Sequence, residues 1–456
     1  MTKRPTILVV YKCLGYPLRA TAREHLYSFR NFSDANVFHI KLDHGMNGYY
    51  SEAKIPEYLA GIEFDVIVFH YGFISSRWGG KEMYERAKRQ VEPLLNNAAI
   101  KVLMPQDEYM NSAAMVDFIH SFRIDIVFSV SPESEWSKIY PGVDPSRVKF
   151  KKVLTGYLDE HTVSWINEHV PGIEKDIDIG YRARNLPAWL GRHGYMKTTI
   201  AEAFKASESG SGLKMDISTD PSDTFFGMDW YRYMIRCKYM IGVEGGATVL
   251  DADGSIATKS KLYLEKFPAA SFEEIEANCF PGLDGKLKLF AISPRHLEAC
   301  VTRTCQILVE GEYNGILKPW RHYIPLKEDF SNLEQVLKLV KEDKLRKEIT
   351  ENAWHDIVGS GNYSYKKFTK VVLNESLRPL TQRSVANSRL QALLRRNRRL
   401  DRYYWFQEWY LRKIYNPYIF GKRRIRMGMI LFIKGVGLKR PAKWLYNIIK
   451  GKTNSA

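Results

Sequence analysis

The chain has 456 residues, of which 45% are apolar and 26% charged, and a formal net charge of +17. That length exceeds one ordinary core and implies two domains plus an appendage, while the composition excludes a disordered or fibrous chain. The charge is local. Arg383–Ala456 carries 19 Lys and Arg against two acids, Asp401 and Glu408, and the rest of the chain balances 49 bases with 49 acids. A neutral body with a cationic tail calls for an anionic partner surface.

In chain order, short β-rich runs are predicted at 7–12, 36–42, 64–72, 100–104 and 124–130, with helix-like segments between them such as 81–97. Near-continuous apolar strands alternating with helices read as a parallel sheet covered on both faces, a first Rossmann-like domain over 1–160. The pattern restarts over 161–360. A strand at 176–182 leads through Gly191 into a helix at 195–206. A polar turn at 207–212 precedes a strand at 213–218, then a helix at 229–238 and a strand at 239–243. Residues 247–288 read as an irregular insertion. A helix at 295–303, strands at 305–309 and 321–326, and helices at 332–342 and 344–357 complete the domain. A helix within 361–382 is placed to return to the first domain. From 383 the character changes to apolar residues at helical spacing with arginines between them (Leu390, Leu393, Leu394, Leu400, Tyr404, Leu411), broken at Pro417.

The five cysteines show no C-x-x-C pair and no zinc-like spacing, which suits free thiols packed in a core. The start of the chain has no signal-peptide pattern, and no stretch approaches the roughly 18–20 apolar residues of a spanning helix. The expectation is a cytoplasmic protein held peripherally at the inner face of a membrane.

In doubly wound sheets, ligands sit beyond the C-terminal ends of the strands, with phosphates at helix N-termini. Those positions hold Arg182, Arg184 and Lys197, whose charges suit a diphosphate; Gly245 and Gly246, which let backbone approach a ligand; and Arg295, His296 and Glu298 at the start of a helix. Glu244 ends the strand before the paired glycines. In the first domain Gly15, His70, Asp107 and Glu108 follow strand-like runs, where a carboxylate or imidazole could orient an acceptor hydroxyl or take its proton. Structural readings compete at each: surface basics for the arginines, a turn for Gly-Gly, helix-start acids for Glu298 and for Asp107-Glu108, and a buried histidine for His70. No strand-flanked Asp-x-Asp is present, and Asp251-Ala-Asp253-Gly reads as a loop turn, so no metal site and no cofactor are expected.

The run 292–324, "ISPRHLEACVTRTCQILVEGEYNGILKPWRHYI", followed by "PLKEDFSN", resembles the C-terminal domain of bacterial GT-B glycosyltransferases, with the retaining group 4 transferases and the CgeB-like spore-coat proteins as the nearest branch. The resemblance implies an α/β chain of two Rossmann-like domains facing a cleft. It implies Glu298 as the donor-ribose carboxylate with Arg295 beside it, "GYRARN" with Lys197 as the diphosphate-binding group, and His70, ending "DVIVFHYG", as a residue facing the cleft. The group 4 pattern has a second glutamate where this chain has Phe290, and Glu244 is the candidate to replace it.

The reading is a metal-independent transferase moving a sugar from a nucleotide-diphosphate sugar to a glycan or lipid-linked acceptor in bacterial surface polysaccharide synthesis. Residues 383–456 are expected to lie on an anionic membrane surface, and nucleic acid is disfavoured by the neutral body. A GT-B epimerase or hydrolase, and a degenerate scaffold working through its tail, are the other readings.

Overall fold

The computed structural model describes residues 4–13, 18–43, 53–59, 61–377 and 387–410. The first series of elements is β1 (Thr6–Tyr11), α1 (Ala20–Phe32), β2 (Asn36–Lys41), β3 (Val66–Phe69), α2 (Tyr71–Ile74), α3 (Lys81–Val91), β4 (Ile100–Leu103), α4 (Ser112–Phe122), β5 (Ile126–Ser129), α5 (Trp136–Ile139) and β6 (Lys149–Lys152). Its strands form a parallel sheet in the order β2-β1-β3-β4-β5-β6. All six residues of β1 are buried, as a central strand covered on both faces requires. Strand β6, Lys-Phe-Lys-Lys, carries no apolar run to announce it; it pairs at the sheet edge, where lysines are tolerated and discourage further pairing.

The second series is α6 (Glu160–His169), β7 (Ile177–Arg182), α7 (Gly191–Ser211), β8 (Met215–Ser218), α8 (Met228–Arg236), β9 (Cys237–Gly242), β10 (Gly245–Ala247), α9 (Ser255–Lys266), α10 (Phe272–Cys279), β11 (Leu289–Ala291), α11 (Pro294–Val301), β12 (Cys305–Val309), β13 (Ile324–Leu326), α12 (Leu333–Leu339), α13 (Asp343–Ala353) and α14 (Tyr365–Ser376). Five strands form a second parallel sheet, β13-β12-β9-β7-β8, and β10 pairs antiparallel with β11. The molecule is thus an α/β protein of two Rossmann-like domains. In each sheet the first strand lies between strands that connect in opposite directions, so the topological switch points fall at the ends of β1 and β7.

Two sequence expectations are corrected. Helix α7 runs through the polar segment to Ser211 before Gly212 ends it in a left-handed conformation, φ 64°. Residues 247–288 contain two helices, α9 and α10, and Ser271 and Glu274 form a reciprocal capping box that starts α10. This segment also joins the two sheets. Asn111 and Ala113 donate backbone hydrogen bonds to Asp251 and Ala252, and Leu287 and Leu289 enter the first sheet's core.

Helix α14 lies on α1: Phe368 and Phe29 rings are 6.0 Å apart, and Thr369 Oγ1 donates to the Phe32 carbonyl at 3.2 Å. The next helix, α15 (Asn387–Tyr410), divides at Asn397. Up to that residue it belongs to the main body, where Leu390 and Leu394 are buried in the first core. Asn397 Nδ2 donates to the His39 carbonyl at 2.8 Å, and its Oδ1 accepts from the His39 N–H at 3.0 Å. An amide side chain thereby completes one residue of edge strand β2.

Of the described residues, Arg398–Tyr410 belong to a second unit. In it α15 continues to Tyr410 and exposes Tyr403, Trp405, Phe406, Trp409 and Tyr410. Gly15, Pro417 and the remaining tail lie outside the described residues. Among those described, no helix is long and apolar enough to cross a membrane.

Candidate functional site

Four bases converge where the switch points of the two sheets meet. Arg184 lies two residues beyond β7 and is exposed. Lys197 stands on α7, whose Tyr181 partner donates to the Lys197 carbonyl at 3.2 Å. Arg295 is the second residue of α11 and lies over the Tyr181 ring at 5.7 Å and the Trp230 ring at 5.9 Å. The fourth, Arg19, was not anticipated. It is the N-cap residue of α1, contributed by the first domain.

Their charges are felt mutually. Burial pushes the Lys197 ammonium down to about 8, with Arg295 and Arg19 acting the same way and Asp107 against them. Arg19 is lowered by burial, then by Arg184 and Arg295. Among the described residues, none of the four makes an ion pair; Asp107, an exposed residue held at φ 49°, acts on Arg19 and Lys197, and Glu298 faces Arg295 and Arg19. Two helix N-termini, those of α1 and α11, add their partial positive charge to the cluster. Such an assembly is destabilising until an anion neutralises it.

Adjacent to the cations the two domains are pinned together. Thr21, in the first turn of α1, donates to Glu298 Oε1 at 3.0 Å, and Trp230 Nε1 donates to Oε2 at 2.7 Å. Both carboxylate oxygens of Glu298 are therefore engaged. One turn along α1, Glu24 accepts from Thr162 Oγ1 at 2.9 Å and from Tyr231 at 3.1 Å. Burial, followed by the proximity of Glu298 and Asp159, raises the Glu24 carboxyl to about 8, and burial also raises Glu298. Burial thus favours the protonated form of Glu24 at the seam, against the hydrogen bonds from Thr162 and Tyr231.

The structure gives the other candidates internal partners. Arg182 is tied to Asp216 at 2.6 Å and lies 4.6 Å from the Tyr233 ring, bracing β7 against β8. His70 is buried as the N-cap of α2: its Nδ1 accepts from the Gly72 N–H at 3.0 Å, which leaves the proton on Nε2, bonded to His25 Nδ1 at 3.0 Å. Burial depresses both rings, so they are a neutral pair inside the domain and not a base at its surface. Glu108 is fully buried and accepts from Tyr140, from Ser129 at 2.7 Å, and from the Val130 and Ser131 N–H groups. It ties the end of β5 to the loop after β4. Glu244 accepts from the Glu312 and Tyr313 N–H groups at 3.1 and 2.6 Å, holding the turn after β12.

His296 is buried, with Nε2 on the Val243 carbonyl at 3.1 Å. Gly246, at φ 125°, is where β10 pairs with β11: a Cβ there would stand 1.8 Å from the Leu289 carbonyl. Its glycine is explained by strand approach alone.

So the structure brings together Arg184, Lys197, Arg295 and Asp107, adds Arg19, and places His70, Glu108, Glu244 and His296 in the interior. Arg19 had one sequence signal, its position between the end of β1 and the first turn of a helix. Glu24 had none beyond its place on a helix. All five cysteines are buried. Among the described residues no group of three or more His, Cys, Asp or Glu could hold a metal ion.

No family model and no curated protein matches the chain. Solved structures similar to it include Anabaena Alr3699/HepE in complex with UDP and glucose, at 11% identity over 82% of this chain and 99% of that one, TM-score 0.44. A sucrose-phosphate synthase from Thermosynechococcus elongatus is 8% identical over 82% and 98%, TM-score 0.43, and a glycosyltransferase from Rickettsia africae 13% over 82% and 98%, TM-score 0.40. The likeness is distant, and the two-domain architecture stands on the strand orders given above.

Proposed function

We propose that the chain is a GT-B glycosyltransferase, of a branch near the CgeB-like and group 4 enzymes, that moves a sugar from a nucleoside-diphosphate sugar to a glycan or lipid-linked acceptor of bacterial surface polysaccharide. The observation that carries this reading is the convergence of Arg19, Arg184, Lys197 and Arg295 without an ion-paired carboxylate. A diphosphate leaving group gains negative charge as the glycosidic bond breaks, and fixed cations at two helix N-termini stabilise that charge in the transition state. Four bases supply the neutralisation without a metal ion. Asp107, exposed beside them on the first-domain side, is the carboxylate placed to orient an acceptor hydroxyl or receive its proton. Glu298 takes the donor ribose by exchanging its Thr21 hydrogen bond for ribose hydroxyls. Arg182, His70, Glu108, Glu244 and His296 act by holding the scaffold.

The tail serves the acceptor side. Arg398, Arg399 and Arg402 share α15 with five exposed aromatic side chains, a composition suited to the headgroup layer of an anionic membrane.

A thermal-shift screen of nucleoside diphosphates and nucleotide sugars tests the reading. A ligand at 100 times its Kd stabilises by about 2.7 kcal/mol. If none shifts the transition and no sugar is transferred or hydrolysed, the assignment is wrong.

A further inference from the structure

The chain between β10 and β11, residues 248–288, leaves the second domain and returns to it through a two-stranded neck. On its way out it is bonded to both domains. Thr248 N donates to the Leu190 carbonyl, just before α7, at 2.9 Å, and the Thr248 carbonyl accepts from Leu287 N at 3.1 Å. Asp251 N then donates to the Tyr109 carbonyl of the first domain at 2.8 Å, and the Asp251 carbonyl accepts from Asn111 N at 2.7 Å. On its way back it touches the first domain again. Lys138 Nζ donates to the Lys286 carbonyl at 3.1 Å, and Lys288 N donates to Glu135 Oε2 at 3.2 Å. Leu287 and Leu289 are buried in the first core. The helices between these crossings pack on the second domain, where Val249, Phe272, Ile275 and Phe280 bury with Ala188. Arg192, in the first turn of α7, pairs with Glu273 at 3.2 Å, and its N–H donates to Asp284 at 3.2 Å.

Domains of one chain move relative to each other by default, unless an apolar contact holds them. Here two leucines of one domain lie inside the core of the other. Backbone bonds flank them, and a hinge movement would leave those groups unpaired. The described residues up to Asn397, both sheets included, accordingly form one compact unit. The elements this excursion grips are also those that carry the charged cluster. Helix α7 bears Lys197, the loop before Asn111 bears Asp107, and β11 leads into α11 with Arg295.

We propose that residues 248–288 are a strap that fixes the two Rossmann-like domains in one relation, so that Arg19 meets Lys197 and Arg295 without a closing movement. The consequence for binding rests on the donor reading: a diphosphate finds its cations already assembled, and no part of the binding free energy goes into gathering them.

Spin labels at Glu82→Cys in α3 and Glu334→Cys in α12, both exposed, report the distance between the domains in the full chain, the native cysteines being buried. The parent should give one narrow distance distribution, unchanged when pyrophosphate is added to saturation. A broad or two-peaked distribution, or a shift on adding pyrophosphate, overturns the strap. Leu287→Ala with Leu289→Ala loosens the hold on the first core. In that variant the distribution should broaden. If the assembled arrangement falls to one part in ten, pyrophosphate should bind about tenfold more weakly, as calorimetry would show. A variant that matches the parent in both width and affinity also overturns the strap. Should the variant fail to fold, the distances in the parent decide alone. A parent that binds no pyrophosphate yet keeps one narrow distance retains the strap and removes the donor reading.

Discussion

Thr21 and Glu298 are 277 residues apart in sequence, and the threonine hydroxyl donates to the carboxylate at 3.0 Å. That bond joins the first turn of α1 in one domain to α11 in the other, beside the indole of Trp230. It places the helix starts that carry Arg19 and Arg295 on either side of one seam.

Removing the carboxylate leaves the Trp230 N–H and the Thr21 hydroxyl unpaired in a buried setting. Glu298→Ala should therefore destabilise the protein by about 1–3 kcal/mol, and Thr21→Val by roughly 0.5–1.5 kcal/mol. Urea unfolding measures both. A Glu298→Ala protein as stable as its parent would show that the seam is held by other contacts.

Lys197 is expected to trade stability for binding. Its ammonium is depressed to about 8 from 10.5, so the folded protein binds fewer protons than the unfolded chain between those values. Its contribution is unfavourable below pH 8 and fades as pH rises through that window. Lys197→Met should raise the melting temperature at pH 7 and abolish the further rise that pyrophosphate gives the parent. A variant that melts lower than the parent, or that still responds to pyrophosphate, contradicts the assignment.

Glu24 gives a pH signature of the opposite sense. Its folded pKa of about 8 lies above the ordinary 4.5, so the folded state retains a proton that the unfolded chain releases. Stability from this group is present below pH 4.5 and is lost as pH rises toward 8. Glu24→Gln mimics the protonated acid and should flatten the decline. Denaturant melts of parent and variant at pH 5, 6, 7 and 8 compare the slopes, and parallel curves would refute the shift.

The two-sheet architecture was legible because central strands such as Ile7–Tyr11 and Val66–Phe69 are apolar on both faces and alternate with helices. The site was legible only in part. Arg184, Lys197 and Arg295 sit at strand ends or helix starts, where position alone suggests a ligand. Glu298 was equally visible, yet its partners Thr21 and Trp230 are distant in sequence, so its engagement was not. His70 and Glu108 also follow strands, but whether such a side chain turns outward or caps the next helix depends on His25, Tyr140 and Ser129, which no local pattern links to them. Helix α10 was missed although Ser271 and Glu274 have capping-box spacing, because two prolines and several glycines around it read as loop.

Membrane association should reside beyond Asn397. Vesicles containing phosphatidylglycerol should pellet the full chain more than neutral ones do, and salt should weaken the association. Trp405→Ala with Trp409→Ala should reduce pelleting, as should ending the chain at Asn397. Equal pelleting of full and shortened chains would exclude the tail as the anchor. Ending the chain before Asn387 is a different experiment: it removes Leu390 and Leu394 from the core and should yield an unstable, self-associating protein.

The bond between His39 and Asn397 spans 358 residues of chain. During synthesis, strand β2 emerges early, and the amide that finishes its outer edge follows last among the elements of the main body. At roughly 5–20 residues per second, the ribosome needs on the order of 20–70 s to deliver it. For that interval the nascent first domain presents an unfinished strand edge, so a chaperone that shields nascent chains should matter more to the yield of this protein than to its stability once made.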